Sequence, residues 1–544
     1  MGHLSRRTVL GSGLAAGAGL ALSACTGSGT EPGGSGEPGG AGGGGGGAGG
    51  GAMPNHIPFD GPTPDLPGDA ETGVPDAYLK YPDPPQSTGT VPLGLSAPVE
   101  FLLQGRASAV PMEQNQWWQL LNEEAGAEIR ITAVSSTEYL AKFQTSVSGD
   151  VLSDITQIVT VPQLPALLDK MFVDLSPYLS GDHVAKYPNL ANHPPSAWSV
   201  SVFDGKVYGI PQPRITGGMI LLTHGDRLAE KGIDLMPELA DGEAFLDMVR
   251  ELHDPAGDRF AIGQLPENWT VPLVLEAMGG PNVWDTSGDT WVSEYETPEY
   301  EAALEVVTKM FAEGLYHPNS YTDQTNSHTW FNAGTTALLS QNFANWQAKA
   351  NLETEVGVVV MPKWDGGGTA VKHLGAPAYT APVGLKKIDD EARIDELLRL
   401  LDYIASPFGT QEFLHVNYGV KDRQWTLTDG ELARIADAPE EAIGGLNYAG
   451  ASIWRDVYMA GKPDMTERIH TYCAEQIPNG MPNPTLGKFS DTAVTKAPPA
   501  TRKLSDLQGA IIQGRSSLTE WSAAVQEWKK ECGDAMAEEY AAQA

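Results

Sequence analysis

From Val99 onward, short apolar runs alternate with stretches of helical periodicity, and this alternation constrains the fold more than any other feature of the chain. VEFLLQG reads as a strand, NQWWQLLNEEAG as a helix ending at Gly126, and AEIRITAV as the next strand. Tyr139 to Val147 is helical, SDITQIVT is a strand and VPQLPALLDKMF a helix. Strands that alternate with helices imply a parallel sheet covered by helices on its faces. Later segments continue in kind: Glu299 to Glu313 forms an amphipathic helix ending at Gly314, IDELLRLLDYIAS is helical, and LTEWSAAVQEWKKECGDAMAEEYAAQ reads as a long terminal helix. The stretch from about Ala97 to Ala544 is long enough for two lobes of ordinary domain size.

The N-terminus is set apart from the fold. Ser5-Arg6-Arg7-Thr8-Val9-Leu10 supplies a twin-arginine pattern, an apolar run follows, and Leu22-Ser23-Ala24-Cys25 matches a lipobox. Residues 1–25 are therefore an expected export signal, with Cys25 the lipid acceptor. The run is too short and glycine-rich for a span, which needs about 20 mostly apolar residues. Two or more acyl chains would tether the protein outside the cytoplasm, on the outer face of the membrane. Residues 26–95 are dominated by Gly, Pro, Ser and Thr, and their composition predicts a disordered stalk.

The net charge of -34, from 69 acidic against 35 basic residues, argues against nucleic acid and against electrostatic adhesion to anionic lipid. Of three cysteines, Cys25 belongs to the anchor, and Cys473 and Cys532 are left either to pair or to stay free. No Cys/His set has zinc spacing. Asp285, Ser287 and Asp289 resemble a fragment of a calcium loop, but the bidentate acid is missing and a hairpin tip explains them better. Neither a metal nor a cofactor is expected.

Catalytic signatures are also missing. There is no H-E-x-x-H, no P-loop and no G-x-S-x-G elbow, and no carboxylate pair is singled out by its neighbours for glycoside hydrolysis. What remains is a set of aromatics beside amides, Pro or Gly: Trp269, Phe343, Trp346, Trp364, Trp425 and Trp454. Flat apolar rings suit the CH face of a pyranose, and neighbouring amides and arginines can pair with its hydroxyls.

Several segments in order carry a resemblance: SGDVLSDI, DGKVYGIP, TPEYEAALEVVTKMFAEGLYHPN, FNAGTTALLSQNFANW and IIQGRSSLTEWSAAVQEWKKECGDAMAEEYAAQ. The chain resembles the extracellular solute-binding lipoproteins of ABC importers, in the carbohydrate-binding family that includes maltose-binding protein, and particularly its long oligosaccharide- and aldouronate-binding branch. The resemblance implies a bilobed α/β periplasmic-binding-protein fold (type II, Venus-flytrap) with a multi-strand hinge. It further implies a monomer that captures a sugar or oligosaccharide in its cleft and delivers it to ABC permease subunits. A non-sugar solute such as a peptide or polyamine is the first rival, a surface glycan hydrolase the second.

On this reading lobe 1 takes residues 96–211 plus about 365–425, and lobe 2 takes 212–364 plus about 426–544. Hinge rotation is expected near Tyr208 to Arg214 and Val356 to Pro362. The resemblance makes Asn342, Phe343 and Trp346 the leading ligand contacts, with Arg106, Gln157, Arg214, Trp269 and Trp425 as further candidates. The branch often has an arginine before the acid at Asp226, whereas this chain reads Thr223-His224-Gly225-Asp226, so that segment is not assigned a contact.

Overall fold

The computed structural model describes residues 53–89 and 91–543. The export signal and Cys25 lie outside the described residues, as does the glycine-rich run before residue 53. Two four-stranded sheets organise the chain. Their strands are β1 (Val99–Gln104), β2 (Ile129–Val134), β3 (Ile155–Gln157), β4 (Met219–His224), β5 (Phe260–Ile262), β6 (Thr336–Asn342), β7 (Val356–Val359) and β8 (Val383–Leu385).

The first sheet runs β8-β3-β1-β2. β1 lies parallel to β2 with Val99 opposite Ile129 and Gln104 opposite Val134, and β8 closes the edge antiparallel to β3. Every β1 residue except Glu100 is buried, as expected for a strand covered on both faces. The expected helix after β1 forms over Gln116–Ala125. Asn115 caps its first turn by accepting from Trp118 N, and Gly126 ends it at φ 73, a conformation that suits glycine. The second sheet runs β7-β4-β6-β5. There β4 is antiparallel to both neighbours, which sets Asn342 opposite Met219 at one end and Val356 opposite His224 at the other.

Each sheet has its own core. Val99, Phe101, Leu103, Trp118, Leu398 and Leu401 pack in the first; Val274, Leu304, Ala337, Leu504 and Trp521 pack in the second. A further cluster on the second sheet joins Ile220, Leu339, Trp346, Val356 and Ile469. The terminal helix is continuous but not uniform, because a π-helical turn, Lys529–Gly533, lies between Trp521–Trp528 and Asp534–Ala541.

Three expectations are corrected. The described residues of the expected stalk, 53–89 and 91–95, are not disordered: Val74, Ala77, Tyr78, Tyr81 and Leu95 are buried, and Pro54, Ala77 and Gln86 bridge to Gly181, Val457 and Thr410. The segment needs no core of its own, since a few aromatic anchors dock on lobes that are already built. The hinge does not lie at Val356 to Pro362, because Val356–Val359 is β7, an edge strand inside the second sheet. The chain instead passes between the cores at Ile210 to Ile215, at Leu374 to Val383 and at Ala451 to Val457. The lobe boundary after residue 425 is also moved, since Leu446, Ala449 and Ala451 belong to the first core. Of the two alternatives left open for the cysteines, Cys473 and Cys532 are free, and they are buried in different clusters.

The DTSGD hairpin forms between Trp284–Asp285 and Val292–Ser293, and Asp285 accepts from Ser287 N at its tip. Among the described residues no group of three or more His, Cys, Asp or Glu is gathered to hold a metal. Nor is any helix among them long and apolar enough to cross a membrane.

Candidate functional site

The site grows from the ends of β1 and β3 and from the crossing strands. The first crossing lies against the second: Arg214 N donates to Pro377 O at 2.9 Å, and Ile210 bridges Val383. This register sets the guanidinium of Arg214 over the ring of Tyr379, with Cζ 4.3 Å from the centroid. A cation held over an aromatic face is attracted by its quadrupole and fixed in direction. Tyr379 in turn donates its hydroxyl to Gln104 Oε1 at 2.7 Å, at the C-terminal end of β1. Tyr448 completes the group, its ring centroid 4.9 Å from that of Tyr379 at 48°. The result is an arginine, two phenols and an amide where the two lobes meet. Arg214 Nε is buried without a protein partner.

The amides behind this group are structural. Gln157 is fully buried; its Oε1 accepts from Gln104 N at 2.7 Å and its Nε2 donates to Ala381 O at 3.0 Å. Tyr139 adds a hydroxyl that bonds Leu102 O and Gln157 O. These bonds tie β1, β3 and the second crossing together, and the structure places Gln157, 0% exposed, in the platform behind the group.

In the second lobe, β6 carries Asn342 to the end facing the first crossing, where it is part-exposed opposite Met219. Phe343 and Trp346, the other leading candidates, turn inward. Trp346 is 0% exposed and its Nε1 donates to Val356 O. Phe343 packs edge-on to Trp346 at 6.0 Å and lies against Gly217, where a Cβ would sit 2.1 Å from the ring. Both rings form the inward face of the short helix Ala344–Ala348, and Tyr472 packs on each of them. Trp425 is likewise core, with Nε1 on Gly419 O among Phe408, Phe413 and Tyr81. Trp269 is buried at the end of the helical turn Pro266–Trp269. Arg106, by contrast, is exposed just beyond β1.

The structure thus joins Arg214 to Tyr379, Tyr448 and Gln104, leaves Arg106 and Asn342 accessible on opposite lobes, and takes Gln157, Phe343, Trp346, Trp425 and Trp269 into packing. Sequence reasoning missed Tyr379, Tyr448 and Gln104. Tyr379 sits in LGAPAYTAPVGL, where the proline spacing signalled an extended passage, but nothing in the sequence marked it as a crossing.

A separate polar pocket of about 260 Å³ lies at the opposite end of the second sheet, lined by His224, Asp226, Arg227, Glu230 and Arg259. Its arginines are already engaged: Arg227 donates to Gly334 O and Leu252 O, and Arg259 grips Glu230.

Two α/β lobes joined by several crossing strands, with a polar and aromatic group at the junction, define the bilobed class of solute-binding proteins. Residues 116–414, more than half the chain, match the bacterial extracellular solute-binding protein family, and the chain belongs to it. It is 22% identical over 457 residues to lipoprotein LipO of Bacillus subtilis (strain 168), covering 78% of this chain and 88% of that one. Among solved structures it is similar to the N-glycan transport solute-binding protein NgtS of Streptococcus pneumoniae, with a TM-score of 0.62, 15% identity, and 82% and 99% of the two chains covered. It is also similar to an HMO-binding, ABC-transporter-associated solute-binding protein of Bifidobacterium longum infantis, with a TM-score of 0.59, 15% identity, and 82% and 98% covered.

Proposed function

We propose that this protein captures a sugar or oligosaccharide between its lobes and delivers it to the permease of an ABC importer, without altering it chemically. The observation that carries this reading is the group at the junction, where Arg214 stacks on Tyr379 beside Tyr448 and Gln104. Phenol faces and edges can lie against a pyranose while a guanidinium and an amide pair with its hydroxyls. The named ligands of the two structural relatives, an N-glycan and HMO, support the same ligand class.

Arg214, Tyr379 and Tyr448 are the proposed contacts, joined by Arg106 and Asn342 as the lobes close. Closure follows from differential affinity: a ligand that touches both lobes stabilises the arrangement in which both are near. Cys25 is the proposed lipid acceptor and holds the protein, as a monomer, on the outer face of the cytoplasmic membrane; the LipO relative is itself named a lipoprotein.

A thermal-shift screen of sugars, peptides and polyamines tests the reading. A ligand that binds only the folded state stabilises it by RT ln(1 + [L]/Kd), about 2.7 kcal/mol at a hundredfold excess over Kd. A shift confined to one class of sugar is the expected result. A shift with peptides or polyamines alone would keep the fold and discard the sugar.

A further inference from the structure

The segment before the first sheet does more than connect. Its early part lies on the first lobe, with Asn55 N on Gly181 O, Ile57 N on Ala191 O and Phe59 N on Asn192 Oδ1. It then crosses to the second lobe. There Leu66 and Ala77 exchange two backbone bonds, a small hairpin closes between Asp69 and Val74, His470 on the helix Pro463–Gln476 contacts Pro67 O, and Val74 and Ala77 join the cluster of Ile220 and Ile469. The very next residue returns. Tyr78 stacks on Phe408 at 4.1 Å, Tyr81 donates to Thr410 O, and both belong to a cluster with Phe413 and Leu414. That cluster sits on the helix Gln411–Asn417, which packs on the first core.

Ala77 and Tyr78 are therefore anchored in different lobes with no residue between them. At the same point Ala77 pairs in parallel with Val457 of the third crossing: Tyr78 N donates to Val457 O and Val457 N to Asp76 O, both at 2.9 Å. We propose that residues 66–81 form a fourth strand of the hinge, a brace that lacks slack and limits how far the lobes swing apart. The match to the family begins only at Gln116, so the brace lies outside the part of the chain that defines the family. Restricting open excursions raises the share of molecules near the binding-competent arrangement, which a ligand would otherwise have to select. The inference rests on the bilobed fold and not on the identity of the ligand.

The test measures interlobe distances by double electron–electron resonance in the full chain without ligand. Spin labels replace exposed residues of the two lobes, Leu140→Cys and Glu301→Cys, in a Cys25→Ser background; Cys473 and Cys532 are buried and stay unlabelled. Six Gly/Ser residues inserted between Ala77 and Tyr78 give the brace slack and leave both anchors in place. A control insertion between Glu71 and Thr72 lies at the exposed hairpin tip, with both flanks on the second lobe.

The brace predicts a distribution that widens and shifts to longer distances for the first insertion, and an unchanged one for the control. If the first insertion prevents folding, Tyr78→Leu, which keeps apolar burial but loses the stack on Phe408, should show the same shift to a smaller degree. Distributions that match the intact protein in every folded variant would overturn the proposal. Because no ligand is present, the result is independent of whether the protein binds a sugar.

Discussion

Gln163 and Asp491 meet across the lobes: Gln163 N, at the start of a first-lobe helix, donates to Asp491 Oδ1 at 3.3 Å, although 328 residues separate them. Phe489 lies next to this contact and packs on the first-lobe cluster of Ile158, Leu164 and Phe172. From behind, Gln543 brackets Phe489 with bonds to its backbone N and O, and Glu539 accepts from Thr492. The terminal helix thus holds a second-lobe loop against the first lobe.

Phe489→Ala should loosen this bridge. Losing about 1 kcal/mol of packing changes the ratio of closed to open forms by about fivefold. Small-angle scattering of the ligand-free protein should show a larger radius of gyration, with little change in Tm, because Phe489 is only part-buried and each lobe keeps all of its own core residues.

Tyr379→Leu removes both the surface under Arg214 and the bond to Gln104. Cation–π contacts are worth about 0.5–2 kcal/mol, so ligand affinity should fall by about 2- to 30-fold. Titration calorimetry against whichever sugar the screen finds measures the loss, and Tyr379→Phe should retain the stack and lose less.

Trp346→Ala should act on stability and not on ligand contact. Truncating a fully buried tryptophan costs about 3–5 kcal/mol. A large drop in Tm is expected; an unchanged Tm with lost binding would return Trp346 to the site.

Lys372 and Glu276 form a buried ion pair, Nζ to Oε2 2.7 Å, which also accepts His373 N and ties the second crossing to the helix Val271–Ala277. Glu276→Ala leaves an unpaired buried ammonium and should cost about 3–5 kcal/mol, while Glu276→Leu with Lys372→Met should recover most of it. Chemical denaturation of the three forms measures the difference.

Burial pushes the Asp402 carboxyl up to about 7, against backbone bonds from Leu190 and Asn189 that pull it down. The folded state therefore holds this proton more tightly than the unfolded chain, and its contribution is full below about pH 4 and lost as pH rises to about 7. Asp402→Asn should flatten that part of the Tm–pH profile.

Much of the fold was legible because periodicity is local. The strand–helix alternation from Val99 and the cap at Gly126 marked β1, β2 and β3 directly, while the short edge strand β8 went unread. The brace was not legible: its composition is that of a linker, and Tyr78 and Tyr81 gain their partners more than 300 residues away. Within the site, Arg214 was found but Tyr379 was not, since their meeting depends on the register between two crossings. The aromatic loop after β6 misled for a related reason. Phe343 and Trp346 follow a buried strand, but a helix of five residues still has an apolar face, and sequence alone does not tell that face from a ligand platform.

Native mass spectrometry of the full chain, mixed with a pool of neutral and acidic oligosaccharides and then desalted, tests the central claim most directly. The account predicts one sugar of unaltered mass bound per chain, with occupancy reduced in Tyr379→Leu and in Arg214→Ala. A chain that retains no sugar, or that releases sugars shorter than those supplied, would contradict it.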